Sequence, residues 1–217
     1  MLIGAVADIH GNFEALARAM LRHSDVPNWI CVGDLASRTG AYPEPPAPLF
    51  WIKGNNEEFE RIAEWERGGE QPRNLHYIAN GTAAAVGPLR VAGLGGTFAP
   101  TWFDTPAAKL PHTPRDDKRR HFVRDEVLAC KALSNIDLFM THEAPRPFYP
   151  AGRRIDAGKT VLNDVLAAMK PRLHLFGHHH EFTDSVRQNV RSIGLDVVTK
   201  SYLLVDAETF RCERLDA

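Results

Sequence analysis

The stretch Gly177-His178-His179-His180 puts three imidazoles in a row behind a glycine. Imidazole is a common ligand for divalent transition metals. Four other short segments offer donors of the same kind. They are Asp8 and His10 in "DIH", Asp34 in "GD", Asn55 in "GNNE" and His142 in "THEAP". Any one of them alone reads as a helix cap or a solvated side chain. Together they make a set of carboxylate, imidazole and amide oxygen without thiolate, which suits Mn²⁺, Fe²⁺ or Zn²⁺.

The donors count only if the fold brings them together. Each follows a short apolar run that reads as a buried strand: 2–7, 29–34, 49–56, 136–145 and 172–180. Apolar residues at helical spacing predict helices at 13–21, 57–67, 119–133 and 156–170. Short strands are also expected in "LHYIAN", "TAAAVG" and "LRVAGLGG", and at 182–187, 190–194 and 201–205. Residues 97–118, rich in Pro, Thr and Asp, read as a surface excursion. In open α/β sheets, ligands bind beyond the carboxyl ends of the strands, so all five donor segments can share one rim. If the last strand extends through the histidines, the i, i+2 spacing puts His178 and His180 on one side and turns His179 away. His23, His76 and His174 read as surface or half-buried residues without a role.

The bulk composition restricts the alternatives. The chain has 217 residues, 44% hydrophobic and 24% charged, with a net charge of −1. That is an ordinary globular balance, and a single domain over 1–217 is expected. No strong basic field supports bulk nucleic-acid binding. Cys31, Cys130 and Cys212 are scattered and odd in number, so reduced, partly buried thiols in a cytoplasmic protein are expected. The first residues lack the basic segment of a signal peptide. No run approaches the ~20 apolar residues of a membrane span.

In the order "DIH", "GDLASR", "GNNE", "THEAP", "GHHH", the chain resembles the calcineurin-like metallophosphoesterases. Their pattern is D-x-H, G-D-x-x-x-R, G-N-H-[DE], a lone H, then G-H-x-H, and the resemblance runs from residue 1 to about 205. It implies a four-layer α/β sandwich, two mixed β-sheets flanked by helices. It also implies two divalent metal ions, Mn²⁺ first and Fe²⁺ or Zn²⁺ as alternatives. Asp8, His10, Asp34 and His180 would hold one, and Asp34, Asn55, His142 and His178 the other. The implied reaction is attack of a metal-bridging hydroxide on phosphorus, with Arg38 near the phosphate.

The chain departs from the pattern at Asn56, where many relatives carry a histidine that assists the leaving group. An amide delivers no proton at neutral pH, so the catalytic role expected of Asn56 is a hydrogen bond to a phosphoryl oxygen. General-acid help is typically worth ~10²–10⁴ in rate, so its absence disfavours simple alkyl monoesters. His112 and His121 are the other imidazoles in reach of that role. The layout of "LRVAGLGGTFAPTWF", "KRRHFVRDEVLACKAL" and "IDLFMTHEAPRPF" is also similar to that of RNA lariat debranching enzymes. That similarity implies Arg119, Arg120, Arg124 and Arg146 near the mouth of the site, unless Asp125 and Glu126 balance a solvated helix face. Debranching enzymes keep the histidine that Asn56 replaces and carry a long C-terminal extension. The expected activity is therefore a phosphodiesterase acting on nucleotide-type or cyclic diesters, with a nucleotide or short nucleic acid as partner. A phosphomonoesterase and a non-catalytic scaffold of the same fold are the alternatives.

Overall fold

The computed structural model describes residues 1–113 and 116–217; two residues of the expected 97–118 excursion lie outside these. Two six-stranded mixed sheets face each other. The first runs Cys212–Asp216, Ser201–Asp206, Leu2–Val6, Trp29–Cys31, Leu49–Trp51, Leu75–Tyr77. Its last four strands are parallel, and the first two attach antiparallel at the edge. The second runs Thr183–Arg187, Val190–Gly194, Leu173–Phe176, Leu138–Thr141, Leu89–Leu94, Ala83–Val86. Its four central strands are parallel, with an antiparallel strand at each edge.

Strand alternation sorts the apolar residues into layers. Ile3, Ala5, Ile30 and Ile52 face inward against Val91, Leu138, Met140, Leu173, Leu175 and Ile193 of the second sheet. Their neighbours Val6, Trp29, Cys31 and Trp51 face outward. There they pack on Leu16 and Met20 of the Phe13–Arg22 helix and on Phe59, Ile62 and Trp65 of the Phe59–Glu66 helix. The outer face of the second sheet packs Ala92, Leu94 and Phe139 against Val127, Cys130, Leu162 and Leu166 of the Arg124–Ala132 and Thr160–Met169 helices. Sheets covered on both faces need strands apolar throughout, which is why these strands read as continuous apolar runs. The four-layer order helix, sheet, sheet, helix follows.

The elements are shorter than their sequence patterns. The donor-bearing strands stop at Val6, Cys31, Trp51, Thr141 and Phe176, each before its polar residues. The apolar pattern continues past the last ladder bond because those residues still enter the core. The helix expected at 119–133 begins only at Arg124. Lys118–Arg120 forms a 3-10 turn instead, and His121–Phe122 pairs with Thr97–Phe98. Cys212–Asp216 is a strand the sequence pattern missed, because its alternation of exposed and half-buried residues is weak. Cys31 and Cys130 are buried, Cys212 is half-buried, and all three are free thiols. No helix of the described residues is long and apolar enough to cross a membrane.

His174 is fully buried, contrary to the surface or half-buried position expected for it. It lies in the Leu173–Phe176 strand, with Thr141 Oγ1 2.9 Å from Nε2 and Ser192 Oγ 3.1 Å from Nδ1. Burial pushes its pKa down to about 3. The folded protein thus keeps His174 neutral, while the unfolded chain protonates it below ~6.5. Its contribution is complete above that pH and shrinks as pH falls toward 3, by about 1.4 kcal/mol per pH unit. His174→Leu leaves Thr141 its bond to the Glu143 carbonyl. Urea unfolding of wild type and His174→Leu between pH 7 and 4 should show their stability difference shifting with that slope. A pH-independent difference would mean that the folded state already carries the proton.

Candidate metal centre

The loops after five parallel strands meet at one rim between the two sheets. There the ligand atoms form two clusters: Asp8, His10 and His180 in one, Asp34, His142 and His178 in the other. Within each, the candidate ligand atoms lie within 4.8 Å of one another. Asp34 Oδ2 is 3.7 Å from His10 Nε2 and 3.5 Å from His142 Nε2, so one carboxylate stands between the clusters. Asn55 Oδ1 is 3.0 Å from His142 Nε2 and joins the second. All seven sequence-derived ligand positions thus converge.

The backbone that presents them is strained. Asp8, His10, Asp34, His178 and His180 all have positive φ, between 47° and 71°. For residues other than glycine, each such conformation costs of order 1–3 kcal/mol and persists only where its surroundings impose it. The surroundings do so by close approach. Gly33 has φ 104°, and a Cβ there would lie 2.6 Å from His142 Nδ1. A Cβ on Gly54 would lie 2.0 Å from Asp34 Oδ1. The glycines of "GD" and "GN" are therefore required by the approach of neighbouring ligand loops.

The positive φ values also correct the expected presentation of the histidine run. His178 and His180 are not on an extended strand; the strand ends at Phe176 and the chain turns twice through the left-handed region. The two imidazoles still reach different clusters. His179 joins neither cluster; it is half-buried and stacks on Phe148 at 4.5 Å between ring centroids.

The donor chemistry fits divalent cations. Asp8 and Asp34 are each 1% exposed. His178 N–H donates to both Asp8 oxygens, at 3.0 and 3.2 Å. Burial opposes charge on Asp34, but His142 beside it and two bonds from Asn56 hold its carboxyl well below the usual range. Burial opposes charge on His142 too, yet Asp34 raises it to about 9. His142 Nδ1 lies 2.9 Å from the Val32 carbonyl, and donation there directs Nε2 into the cluster. The carboxylates thus attract positive charge to the points where a bound metal would compete with a proton. Burial also lowers His178 to about 4, leaving a neutral ring able to coordinate.

Three roles were not legible in the sequence. Glu57 binds the N–H groups of Leu35, Ala36 and Gly54 and the Tyr42 hydroxyl, tying the Asp34 loop to the Asn55 loop. Burial and the nearby Asp34 raise its pKa to about 7. Glu143, 4% exposed, has Oε2 3.3 Å from Lys159 Nζ and Oε1 3.9 Å from His178 Nε2. Asn56 uses both its backbone and side-chain N–H groups on Asp34, at 2.8 and 2.7 Å. The acid at the fourth position of "GNNE" was the one available signal for Glu57.

The expected substrate residues divide. Arg38 is exposed and lines a cleft of about 710 Å³ with His10, Asn55, Asn56 and Arg120. Arg120 is held there by the Asp117 carbonyl and Asp116. Arg119 faces a neighbouring hollow and is gripped by Asp117 and Glu60. Arg124 pairs with Asp104 and Arg146 with Asp156, and neither lines a cleft that touches the metal ligands. Asp125 and Glu126 do not provide the balance; acids outside the helix do.

A calcineurin-like phosphoesterase family model matches residues 1–182. The chain belongs to the calcineurin-like phosphoesterase family. Membership implies hydrolysis of phosphoric esters. Among curated relatives, the lariat debranching enzyme of Schizosaccharomyces pombe is 28% identical over 203 residues, 83% of this chain and 44% of the relative. The Homo sapiens lariat debranching enzyme is 23% identical over 185 residues, 74% of this chain and 33% of the relative. The chain thus spans less than half the length of these relatives. A solved structure of a Thermus thermophilus protein superposes with TM-score 0.65 at 15% identity, covering 99% of this chain and 98% of the other. A dimetal phosphatase of Danio rerio superposes with TM-score 0.63 at 12% identity, covering 100% and 95%. These structures share the fold.

The geometry separates the three consecutive histidines. His178→Ala and His180→Ala should each remove a metal ligand and lower turnover by at least ~10²-fold, the scale of losing one charge-stabilising group. His179→Ala should keep its metal content and its turnover of bis(p-nitrophenyl) phosphate while losing about 1 kcal/mol of stability with the ring stack. Metal analysis, initial rates and urea unfolding on the three variants check this. Loss of metal from His179→Ala would break the assignment.

Proposed function

We propose that this protein is a phosphodiesterase using two divalent cations, Mn²⁺ foremost, on nucleotide-type diesters, linear or cyclic. Asp8, His10 and His180 would hold one cation. Asn55, His142 and His178 would hold the other, with Asp34 shared. When bound, the pair would supply Lewis acidity to water and to the phosphoryl oxygens. The protein's own contribution is to fix the donors, place Arg38 against the phosphoryl charge and keep the cleft open to a substrate.

The observation that carries the diester preference is the commitment of Asn56 to Asp34. The residue at this position braces a ligand and has no proton to give. One N–H of its amide is used on Asp34 Oδ2, and the second remains for a phosphoryl oxygen in the cleft that Asn56 lines. His112 and His121 do not line the cleft that holds Arg38 and Asn55. His121 Nδ1 lies 2.9 Å from Thr97 Oγ1, and burial lowers its pKa. The one imidazole among the residues lining this cleft is the candidate ligand His10, so a leaving oxygen there departs without a free imidazolium, which disfavours alkyl monoesters. The similarity to lariat debranching enzymes favours a nucleic-acid type of diester.

Metal content and turnover of bis(p-nitrophenyl) phosphate with Mn²⁺, Fe²⁺ and Zn²⁺ test the reading, followed by a panel of linear and cyclic nucleotide diesters and monoesters. Asn56→His should raise monoester turnover relative to diester by about tenfold or more. An unchanged ratio would count against the leaving-group argument. Neither metal nor turnover would leave a scaffold of the same fold.

A further inference from the structure

The metal ligands stand between two clefts. The first begins at His10 and Asn55 and runs past Arg38 to Arg120. The second, of about 620 Å³, begins at His178 and His180 and runs to Arg153 and Lys200. His10 Nε2 and His180 Nε2 are 3.2 Å apart, so the inner ends of the clefts meet at the metal centre.

Most charges along both clefts are already matched. Arg120 is held by Asp116, and Lys200 Nζ is 3.2 Å from Asp196. Glu181 accepts a bond from the Ala151 N–H. Among the described residues, Arg38 and Arg153 have neither an ion pair nor a side-chain hydrogen bond, so each cleft presents one guanidinium that no side chain holds; the exposed Glu58 carboxylate of the first cleft is unpaired as well. A guanidinium in that state suits phosphate.

The wall that carries Arg153 is fastened in place. Asp156 accepts from the N–H groups of Phe148 and Gly158 and pairs with Arg146. Phe148 stacks on His179, which ties the loop to the histidine run. This gives the half-buried spacer histidine a purpose: it positions the second cleft. Beside the cleft-lining Pro150, Tyr149 is 57% exposed. An exposed aromatic ring four residues before a free cation on the same loop can supply a stacking face for a base beside a grip on its phosphate.

A monoester or a compact cyclic diester has its substituent on one side of phosphorus and needs one cleft. A linear strand leaves phosphorus in two directions and needs two. We propose that the second cleft is a polynucleotide subsite, and that the substrate is an unpaired nucleic-acid strand crossing the metal centre. One flanking phosphate lies toward Arg38 and the other toward Arg153, with a base against Tyr149. This rests on the phosphodiesterase reading and selects linear strands over cyclic nucleotides.

The test compares wild type, Arg153→Ala and Tyr149→Ala on single-stranded hexanucleotides, a dinucleotide and bis(p-nitrophenyl) phosphate. Ribo- and deoxyribo-hexanucleotides are run in parallel to distinguish the two sources of strand. Wild type should favour a hexanucleotide over the dinucleotide by at least tenfold in kcat/KM. Each variant should lower the ratio of hexanucleotide to bis(p-nitrophenyl) phosphate turnover, by about tenfold for Arg153→Ala. Fluorescence anisotropy with a labelled hexanucleotide and metal-free protein provides a readout independent of turnover. There Arg153→Ala should reduce the salt slope of binding by about 0.7, the value for one lost contact on a single strand. Equal proportional losses on both substrates, or no dependence on strand length, would overturn the proposal. Turnover of bis(p-nitrophenyl) phosphate but not of either hexanucleotide would overturn it and leave the diesterase reading standing. Hexanucleotide binding that depends on Arg153, without turnover of any diester, would support the strand site and overturn the diesterase reading.

Discussion

The shared Asp34 carboxylate is the interaction on which the rest of the rim depends. It is almost wholly buried between the imidazoles of His10 and His142. A carboxylate so placed is costly unless positive charge and hydrogen bonds compensate it. Asn56 supplies two of those bonds, His142 supplies the charge, and the bare backbones of Gly33 and Gly54 let the loops close around it. Glu57 then holds the Asp34 loop and the Asn55 loop at a fixed separation. The motif letters around Asp34 are thus parts of one electrostatic arrangement.

That arrangement is supported by stability generated elsewhere. Five of the seven candidate ligands sit in the left-handed region. Left to itself, such a chain would relax to ordinary φ values. The two sheets prevent this, because each ligand loop is anchored at a strand buried on both faces. Burying a Leu, Ile or Val side chain contributes ~1.5–3 kcal/mol, and the layers hold dozens of them. A modest strain at the rim is small beside that.

Local charge shows the opposite relation between composition and use. The basic run Lys118-Arg119-Arg120 looks like a phosphate-binding patch when read alone. In the fold its cations are taken up by Asp116, Asp117 and Glu60. Among the described residues that line the two clefts, the guanidinium groups without a partner are instead those of Arg38 and Arg153. Arginines are available to a ligand only where no nearby acid has claimed them, and proximity of that kind is three-dimensional.

The sequence by itself determined the family, the four-layer architecture and the identity of the converging donors. It could do so because parallel strands place their carboxyl ends on one edge, so donors that follow successive apolar runs must meet. Only the tertiary structure decided how the donors are presented. The left-handed turns at His178 and His180 arise from contacts with loops more than a hundred residues away in sequence, among them the Asp8 carboxylate. The burial of His174, the bracing role of Asn56 and the pairing of the arginines have the same origin. Each depends on a partner brought close by sheet packing, and no local pattern records such a partner.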